Sequence, residues 1–250
     1  FAADDLVDCR WEPSRRFTLP ADARSGIYVL RFDYVRDGTP LVYDLSVVVR
    51  RPAQRPAARL LVLCATKSWL AYSATPFAAN VPGDPLWPRR CAGLPNSHPL
   101  APAQCTYTYH RAGQPTYHVG LRMPRPHTSP RALYAPEDSG FAQWARLERH
   151  LHVWLDRHGY AYDVVADLDL HRDPGLLRGY DAVVVNGHSE YWSEPAVDGL
   201  EAYLAAGGNV AVLSGNSMYW RVSFDADCTV MEQRKTHTPH DAASGADPAA

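Results

Sequence analysis

The alternation of hydrophobic and polar positions divides the chain into a short β-rich part and a longer part in which strands alternate with helices. From Trp11 to Val49 the pattern is β-like, and it predicts strands over 27–32 and 41–49 on either side of Asp37-Gly38, a dipeptide typical of hairpin turns. The next residues, 50–56, lose the pattern and carry two prolines, which fits a linker. We therefore predict a β-sandwich-like module over residues 1–55.

The second part has the pattern of an α/β domain, predicted over residues 56–240. Short apolar runs bounded by turn residues predict buried strands, and apolar residues at helical spacing predict helices. Strands alternating with helices are typical of a doubly wound, mostly parallel sheet. The predicted strands cover 59–64, 162–166, 181–186 and 209–214. The predicted helices run from the cap Ser139 to Gly159 and over 195–206, with a short helical turn over 174–178.

One face of the first long helix is predicted to pack on the sheet. It carries apolar residues at helical spacing: Phe141, Trp144, Leu147, Leu151 and Trp154. The segment 76–136 is rich in proline and poor in periodicity, so we expect it to be largely irregular, and long ordered loops of this kind are usually functional.

Composition and charge limit the classes of function. The chain has 250 residues, 46% of them hydrophobic and 21% charged, with a net charge of -2, which is the composition of a globular protein. Lysine and arginine are scattered, so no basic stripe for nucleic acid is present, and no apolar run is long enough to span a membrane. We expect a soluble, cytoplasmic protein. The start without Met and the polar segment 241–250, predicted to be disordered or truncated, indicate an excerpt or a processed piece of a longer chain.

The five cysteines indicate neither a zinc site nor a full disulfide framework. None lies in a CxxC spacing, and an odd number cannot all pair. Cys91 and Cys105 bracket a proline-rich loop and either close it or remain free thiols, the reading that the odd count favours. Cys64 follows a strand where a nucleophile can lie, but the Gly-x-Cys-x-Gly elbow is missing, so we expect it to be structural. Zinc is a minor alternative, because the histidines show no His-Glu-x-x-His motif and His150 and His152 face different directions on their helix.

Candidate chemistry gathers at the carboxyl ends of the predicted strands, where open α/β sheets bind ligands. Cys64 with the residues that follow it, Asp167, the segment 188–191 and Gly215-Asn216 all lie at such ends. Within 188–191, His188, Glu190 and Tyr191 are polar groups that are costly to bury without a partner. Structural alternatives are a buried, hydrogen-bonded His188, a tight turn at Asn216, and a Glu190 that complements a helix dipole.

Six segments together resemble one known family, the large (beta) subunit of N,N-dimethylformamidase, in its C-terminal region. The resemblance covers most of the chain, and the last three segments are specific in combination. They are Leu19–Tyr28, Leu70–Ser73, Thr106–His110, Tyr162–His171, Gly187–Trp192 and Gly215–Val222.

The resemblance implies a ferric iron, Fe(III), held by two tyrosines and one carboxylate on an α/β domain similar to class I glutamine amidotransferases. Carried over by motif, the ligands are Tyr72, Tyr107 and Glu190, with Tyr109 a rival of Tyr107 because Thr108 replaces the usual Asp. The resemblance also gives His188 and Asn216 catalytic roles beside the metal. Oxygen ligands suit hard, high-valent iron.

The resemblance also implies a function: iron-dependent hydrolysis of a small amide, such as N,N-dimethylformamide, to formate and an amine. A small partner subunit and a homo-oligomer are implied as well. Family members usually continue further, with another acidic residue, and often carry a lectin-like domain ahead of the β module. Two alternatives are therefore a catalytically incomplete or non-catalytic scaffold relative and a hydrolase of a different amide.

Overall fold

The computed structural model describes residues 8–9, 11–55, 57–72, 117–123, 125, 128–130 and 144–234. It contains ten strands, β1 to β10, and four helices, α1 to α4, within those residues. The strands are β1 Gly26–Arg36, β2 Thr39–Val49, β3 Leu60–Cys64, β4 His118–Gly120, β5 Tyr162–Ala166, β6 Ala182–Gly187, β7 Tyr191–Ser193, β8 Asn209–Ser214, β9 Trp220–Phe224 and β10 Val230–Glu232. The helices are α1 Thr66–Ala71, α2 Trp144–Arg157, α3 Asp167–Arg172 and α4 Glu194–Ala205.

A four-stranded parallel sheet forms the centre of the α/β part. Its strand order is β5-β3-β6-β8, and every neighbouring pair is parallel. The chain moves from β3 to β5 on one side and then returns to β6 on the other, so the crevice between β3 and β6 is a topological switch point. The prediction of an α/β fold with a parallel sheet is confirmed.

Helices cover both faces of this sheet because the apolar side chains of its buried strands point alternately to each side. On one face Leu61, Leu63, Val183 and Val185 pack against α3 and α4; on the other, Cys64 and Val164 pack against Ala145 of α2. The main cluster also includes buried residues of α3, of the turn that follows it and of α4: Leu170, Leu177, Ala196, Leu200 and Tyr203.

The N-terminal part contributes an antiparallel hairpin. β1 and β2 pair along their whole length, and Asp37 and Gly38 at the turn both have positive φ, 50° and 74°. The predicted strands are confirmed and are longer than expected, whereas residues 11–25, all described, contain no strand. Ser25 ties the hairpin to the domain: its Oγ donates to the carbonyl of Val164 at 3.0 Å and accepts from the same residue's amide at 2.7 Å.

A second sheet, which the sequence analysis did not predict, has the order β4-β10-β9-β7. Its strands are only three to five residues long, and β7 pairs in parallel with β9. Its core joins the end of α1, since Leu70 and Ala71 pack with Val119, Tyr191 and Met231. This sheet therefore forms a wall beside the carboxyl end of β3.

The packing face predicted for the long helix is wrong. Trp154 is 49% exposed, and the stripe that faces the sheet instead contains Ala145, Glu148, His152 and Leu155, all 8% exposed or less. Gly159, with φ of 73°, ends the helix as predicted. Phe141, Ser139, Cys91, Cys105 and the tail 241–250 lie outside the described residues. No described helix is both long and apolar enough to cross a bilayer.

Candidate functional site

The site lies at the switch point, where α1 follows β3 and the residues 188–190 follow β6. The strand end at Gly187 has φ of 77°, a left-handed conformation that lets the chain turn sharply over the sheet edge. Residues 188–190 then lead directly into β7, so His188 and Glu190 lie between the two sheets. The sequence-predicted edge of polar groups is therefore found at this position.

Tyr72 and Glu190 form the central contact of the site. The Tyr72 hydroxyl donates to Oε2 of Glu190 at 2.8 Å, and Glu190 is 2% exposed. His188 approaches the same carboxylate, with Nδ1 3.4 Å from Oε2. The Tyr72 ring also meets the rings of His188 and Tyr191 edge to face, at centroid distances of 6.4 and 6.2 Å. Three of the predicted site residues are thus brought together.

Hydrogen bonds from the backbone and from Ser68 hold the loop 188–190, which carries the Glu190 carboxylate. Ser68 Oγ donates to the carbonyl of His188, and the amide of Glu190 donates to Ser68 Oγ at 3.3 Å. The carbonyl of Glu190 accepts from the amides of Tyr219 and Trp220 at 3.0 and 2.9 Å. The backbone that carries the Glu190 side chain is therefore held on both sides.

The alternative role for Glu190, as a carboxylate that complements a helix dipole, is wrong. Helix α4 begins at Glu194, and Glu194 is the acidic residue of its first turn. The whole of β7 separates Glu190 from that helix.

Asn216 lies on the loop after β8, next to the same site. It is a non-glycine residue with φ of 46°, and Met218 two positions later has φ of 57°. The preceding Gly215 borders the His188 ring: a Cβ there would lie 3.4 Å from Cδ2 and 3.7 Å from Nε2. The amide of Ser189 donates to Ser214 Oγ at 2.7 Å, which joins the two loops. Asn216 is exposed, and Tyr107 and Tyr109 lie outside the described residues.

Asp167 lies at the predicted edge of the sheet, and its carboxylate accepts hydrogen bonds from the neighbouring helix α1. Its Oδ1 accepts from Thr66 Oγ1 at 2.6 Å and from the Lys67 amide at 3.0 Å. The Lys67 side chain is 2% exposed, and its Nζ lies 5.6 Å from the centroid of the Trp192 ring. Burial lowers the pKa of Lys67 and raises that of Asp167.

Sequence reasoning missed a second polar group, formed by Cys64, Glu148 and His152. All three are buried, and Cys64 Sγ lies 3.7 Å from Nε2 of His152. The available signal was Glu148 four residues before His152, which places both on one helix face. That signal was lost because the apolar spacing indicated a different face. The expected burial of Cys64 is confirmed, and burial holds the pKa of its thiol well above the ordinary range.

Comparison with known proteins gives a consistent family. Residues 1–249 match the family described as N,N-dimethylformamidase beta subunit-like, C-terminal. The N,N-dimethylformamidase beta subunit of Paracoccus aminophilus is 31% identical over 246 residues, and that of an Alcaligenes species is 31% identical over 249 residues. Each comparison covers 94% of this chain and 31% of the relative, so the chain spans about a third of the length of these relatives.

Proposed function

The chain belongs to the N,N-dimethylformamidase beta subunit-like family, whose C-terminal part it matches, and on that premise we propose that it takes part in hydrolysing a small amide, such as N,N-dimethylformamide, to formate and an amine. The curated relatives carry the name of that activity. The contact between Tyr72 and Glu190 is the observation that supports the proposal most directly. It brings a phenol oxygen and a carboxylate oxygen, both of which can bind a metal ion as anions, together at the switch point.

The pair fits the ferric iron that the family resemblance implies. Tyr72 Oη lies 2.8 Å from Glu190 Oε2, so the two oxygens are close enough to bind one ion. Carboxylate and phenolate are oxygen donors that suit hard iron. Tyr72 and Glu190 would hold the iron together with Tyr107 or its rival Tyr109. When bound, the iron would polarise the amide carbonyl and acidify a water molecule.

We assign the polar surface beside this position to His188 and Asn216. The His188 ring turns Nδ1 toward Glu190 and its Cδ2–Nε2 edge toward Gly215. In the proposal, the imidazole holds or accepts a proton at Nε2, and the amide of Asn216 orients the substrate oxygen or the water by hydrogen bonding. The backbone bonds that fix residues 188–190 keep this surface preorganised.

We also propose how the protein is assembled and where it lies in the cell. Relatives named as beta subunits support a partner subunit for the full-length protein, and a homo-oligomer and a cytoplasmic location are proposed with it. We further propose that the α/β part is glutamine-amidotransferase-like, a similarity with which the order β5-β3-β6-β8 is compatible, and that the hairpin belongs to a β-sandwich module. Residues 1–55 would then form a module of their own.

The experiment that tests the proposal measures metal and turnover on one preparation. Iron is quantified in the purified chain, visible absorption is recorded for a tyrosinate-to-iron band, and release of amine is followed over a panel of formamides and acetamides. About one iron per chain with turnover that is lost in Glu190→Gln supports the proposal. Turnover of acetamides alone would change the substrate. An iron-free chain without turnover after reconstitution would favour the non-catalytic alternative.

A further inference from the structure

A second cluster of metal-ligating side chains lies on the other side of α1. Cys64 is the last residue of β3, and Glu148 and His152 face it from α2. One ligand atom from each of the three residues lies within 4.8 Å of the other two. Two adjacent residues of α1 contact the two sites. Ser68 donates to the carbonyl of His188 in the site described above, whereas Trp69 Nε1 donates to Glu148 of the second cluster at 3.3 Å.

Glu148 is a buried carboxylate held in place by donors. Its Oε1 accepts from the amide of Ala65 at 2.7 Å, and its Oε2 accepts from Asn186 Nδ2 at 3.0 Å. No lysine or arginine in the described ranges forms an ion pair with it. A buried charge without a counter-charge is costly, and burial raises the pKa of Glu148 to about 8. Near neutral pH a proton therefore neutralises this carboxyl, and a bound cation would take the place of that proton.

The backbone is shaped to let this carboxylate approach. A Cβ on Gly187 would lie 2.6 Å from Glu148 Oε1, so any side chain there would displace the carboxylate. Gly187 also has φ of 77°, which disfavours other residues. The position of Glu148 therefore depends on a glycine at the end of β6.

The other two donors complete a neutral unit around a divalent ion. Burial lowers the pKa of His152 to about 4, so its imidazole is neutral, which is the form that binds metals. Binding of the metal would release two protons to the solvent, one from the Cys64 thiol and one from the Glu148 carboxyl. One thiolate, one carboxylate and one neutral imidazole carry two negative charges, which a divalent cation balances.

The geometry suits a tetrahedral ion. Zinc–sulfur and zinc–nitrogen bonds of about 2.3 and 2.0–2.1 Å at the tetrahedral angle place sulfur and nitrogen about 3.6 Å apart, and Cys64 Sγ is 3.7 Å from His152 Nε2. His152 also lines a cavity of about 350 Å³ with Ser25, Arg149 and Tyr162, so this cavity reaches one of the three residues of the cluster. We propose that Cys64, Glu148 and His152 form a second metal site, for a divalent ion of the zinc type, with a fourth position left for water or a small ligand.

Sulfur distinguishes this site from the oxygen donors at Tyr72 and Glu190. The chain is stripped with a chelator and titrated with Co(II), and the near-ultraviolet thiolate-to-cobalt band is recorded. We expect the band in the wild-type chain, its loss in Cys64→Ser with at least about 10-fold weaker binding, and its retention in Cys228→Ser. A band that survives in Cys64→Ser, or no band in the wild type, overturns the proposal.

X-ray absorption of the zinc-loaded wild-type chain tests the same site without a variant. We expect one sulfur scatterer at about 2.3 Å together with nitrogen and oxygen scatterers near 2.0–2.1 Å. A coordination shell of nitrogen and oxygen alone would overturn the proposal even if Cys64→Ser fails to fold. Neither measurement depends on turnover, so absence of amidase activity leaves this result unaffected.

Discussion

The hydroxyl of Tyr72 donates a 2.8 Å hydrogen bond to Oε2 of Glu190 and so joins the end of α1 to the loop between β6 and β7, across 118 positions of sequence. Ser68, one turn earlier, makes a second connection through the carbonyl of His188. Helix α1 thus fixes the site by two contacts four residues apart, which lie on one face of a helix.

Replacing Tyr72 with Phe removes an oxygen donor and leaves the ring in place. We expect iron binding and amide turnover to fall by at least about 10-fold, because a lost ligand weakens a site at least as much as a lost neighbour of a ligand. Iron content and the visible band provide the measurement. Tyr219→Phe is the matched control, since Tyr219 is 63% exposed on the neighbouring loop; equal losses in both variants would contradict the role of Tyr72.

The sequence was informative where residue type and position act together. The run of valines from 183 to 185 predicted β6 because a strand buried on both faces needs apolar side chains at every position. The polar segment after it, with His188 and Glu190, predicted a site because such groups at a strand end have few structural uses. Both expectations depend on local pattern, and the structure confirms the strand and brings Tyr72, His188 and Glu190 together.

The sequence was less informative where tertiary contacts outweigh local pattern. Trp154 has the spacing of a core residue, but it stacks on Tyr160 at 5.5 Å and remains half exposed. Glu148 and His152 occupy the buried stripe instead, because donors from other segments satisfy the carboxylate. The second sheet was missed because three-residue strands such as β7 and β10 are too short to show a period.

A methyl group at Gly187 should destabilise the fold by pushing on Glu148. Gly187→Ala combines a left-handed residue, costing about 1–2 kcal/mol, with a contact 2.6 Å from Oε1 that adds about 1–3 kcal/mol of overpacking. Gly207→Ala is the control, because Gly207 has φ of 89° and nothing within 4 Å of the added Cβ. Urea midpoints measure the difference in stability. Equal decreases in the midpoint for the two variants would show that the Glu148 side chain moves aside at no cost.

Lys67 should make the stability of the chain depend on pH in the alkaline range. Burial lowers the folded-state pKa of Lys67 below 10.5, so between those two values the unfolded chain binds more protons than the folded one. The free energy of unfolding should therefore rise as pH rises toward 10.5. This stabilising contribution of Lys67 is lost as pH falls through its lowered pKa. Lys67→Met should remove this increment, whereas Arg178→Met, at an exposed cation, should retain it. Urea midpoints between pH 7 and 10 provide the test, and parallel profiles for the wild type and Lys67→Met would contradict it.

Ser25 should couple the hairpin to the parallel sheet. β5 is an edge strand, so on its outer side the amide and carbonyl of Val164 rely on Ser25 Oγ, at 2.7 and 3.0 Å, in place of a neighbouring strand. Val164 is fully buried, so Ser25→Ala leaves buried backbone groups without a partner at a cost of about 1–3 kcal/mol. Ser14→Ala, at an exposed serine, should cost almost nothing.

The shape of the transition in the Ser25→Ala chain also tests the proposed boundary near residue 55. Tryptophan fluorescence and far-ultraviolet circular dichroism are followed during urea unfolding of the same sample. If the hairpin and the α/β part unfold as one unit, both probes shift together to lower urea. If residues 1–55 form an independent module, the variant should show two separated transitions, because it loses two of the bonds that connect the module to β5 and keeps the ion pair between Arg51 and Asp163.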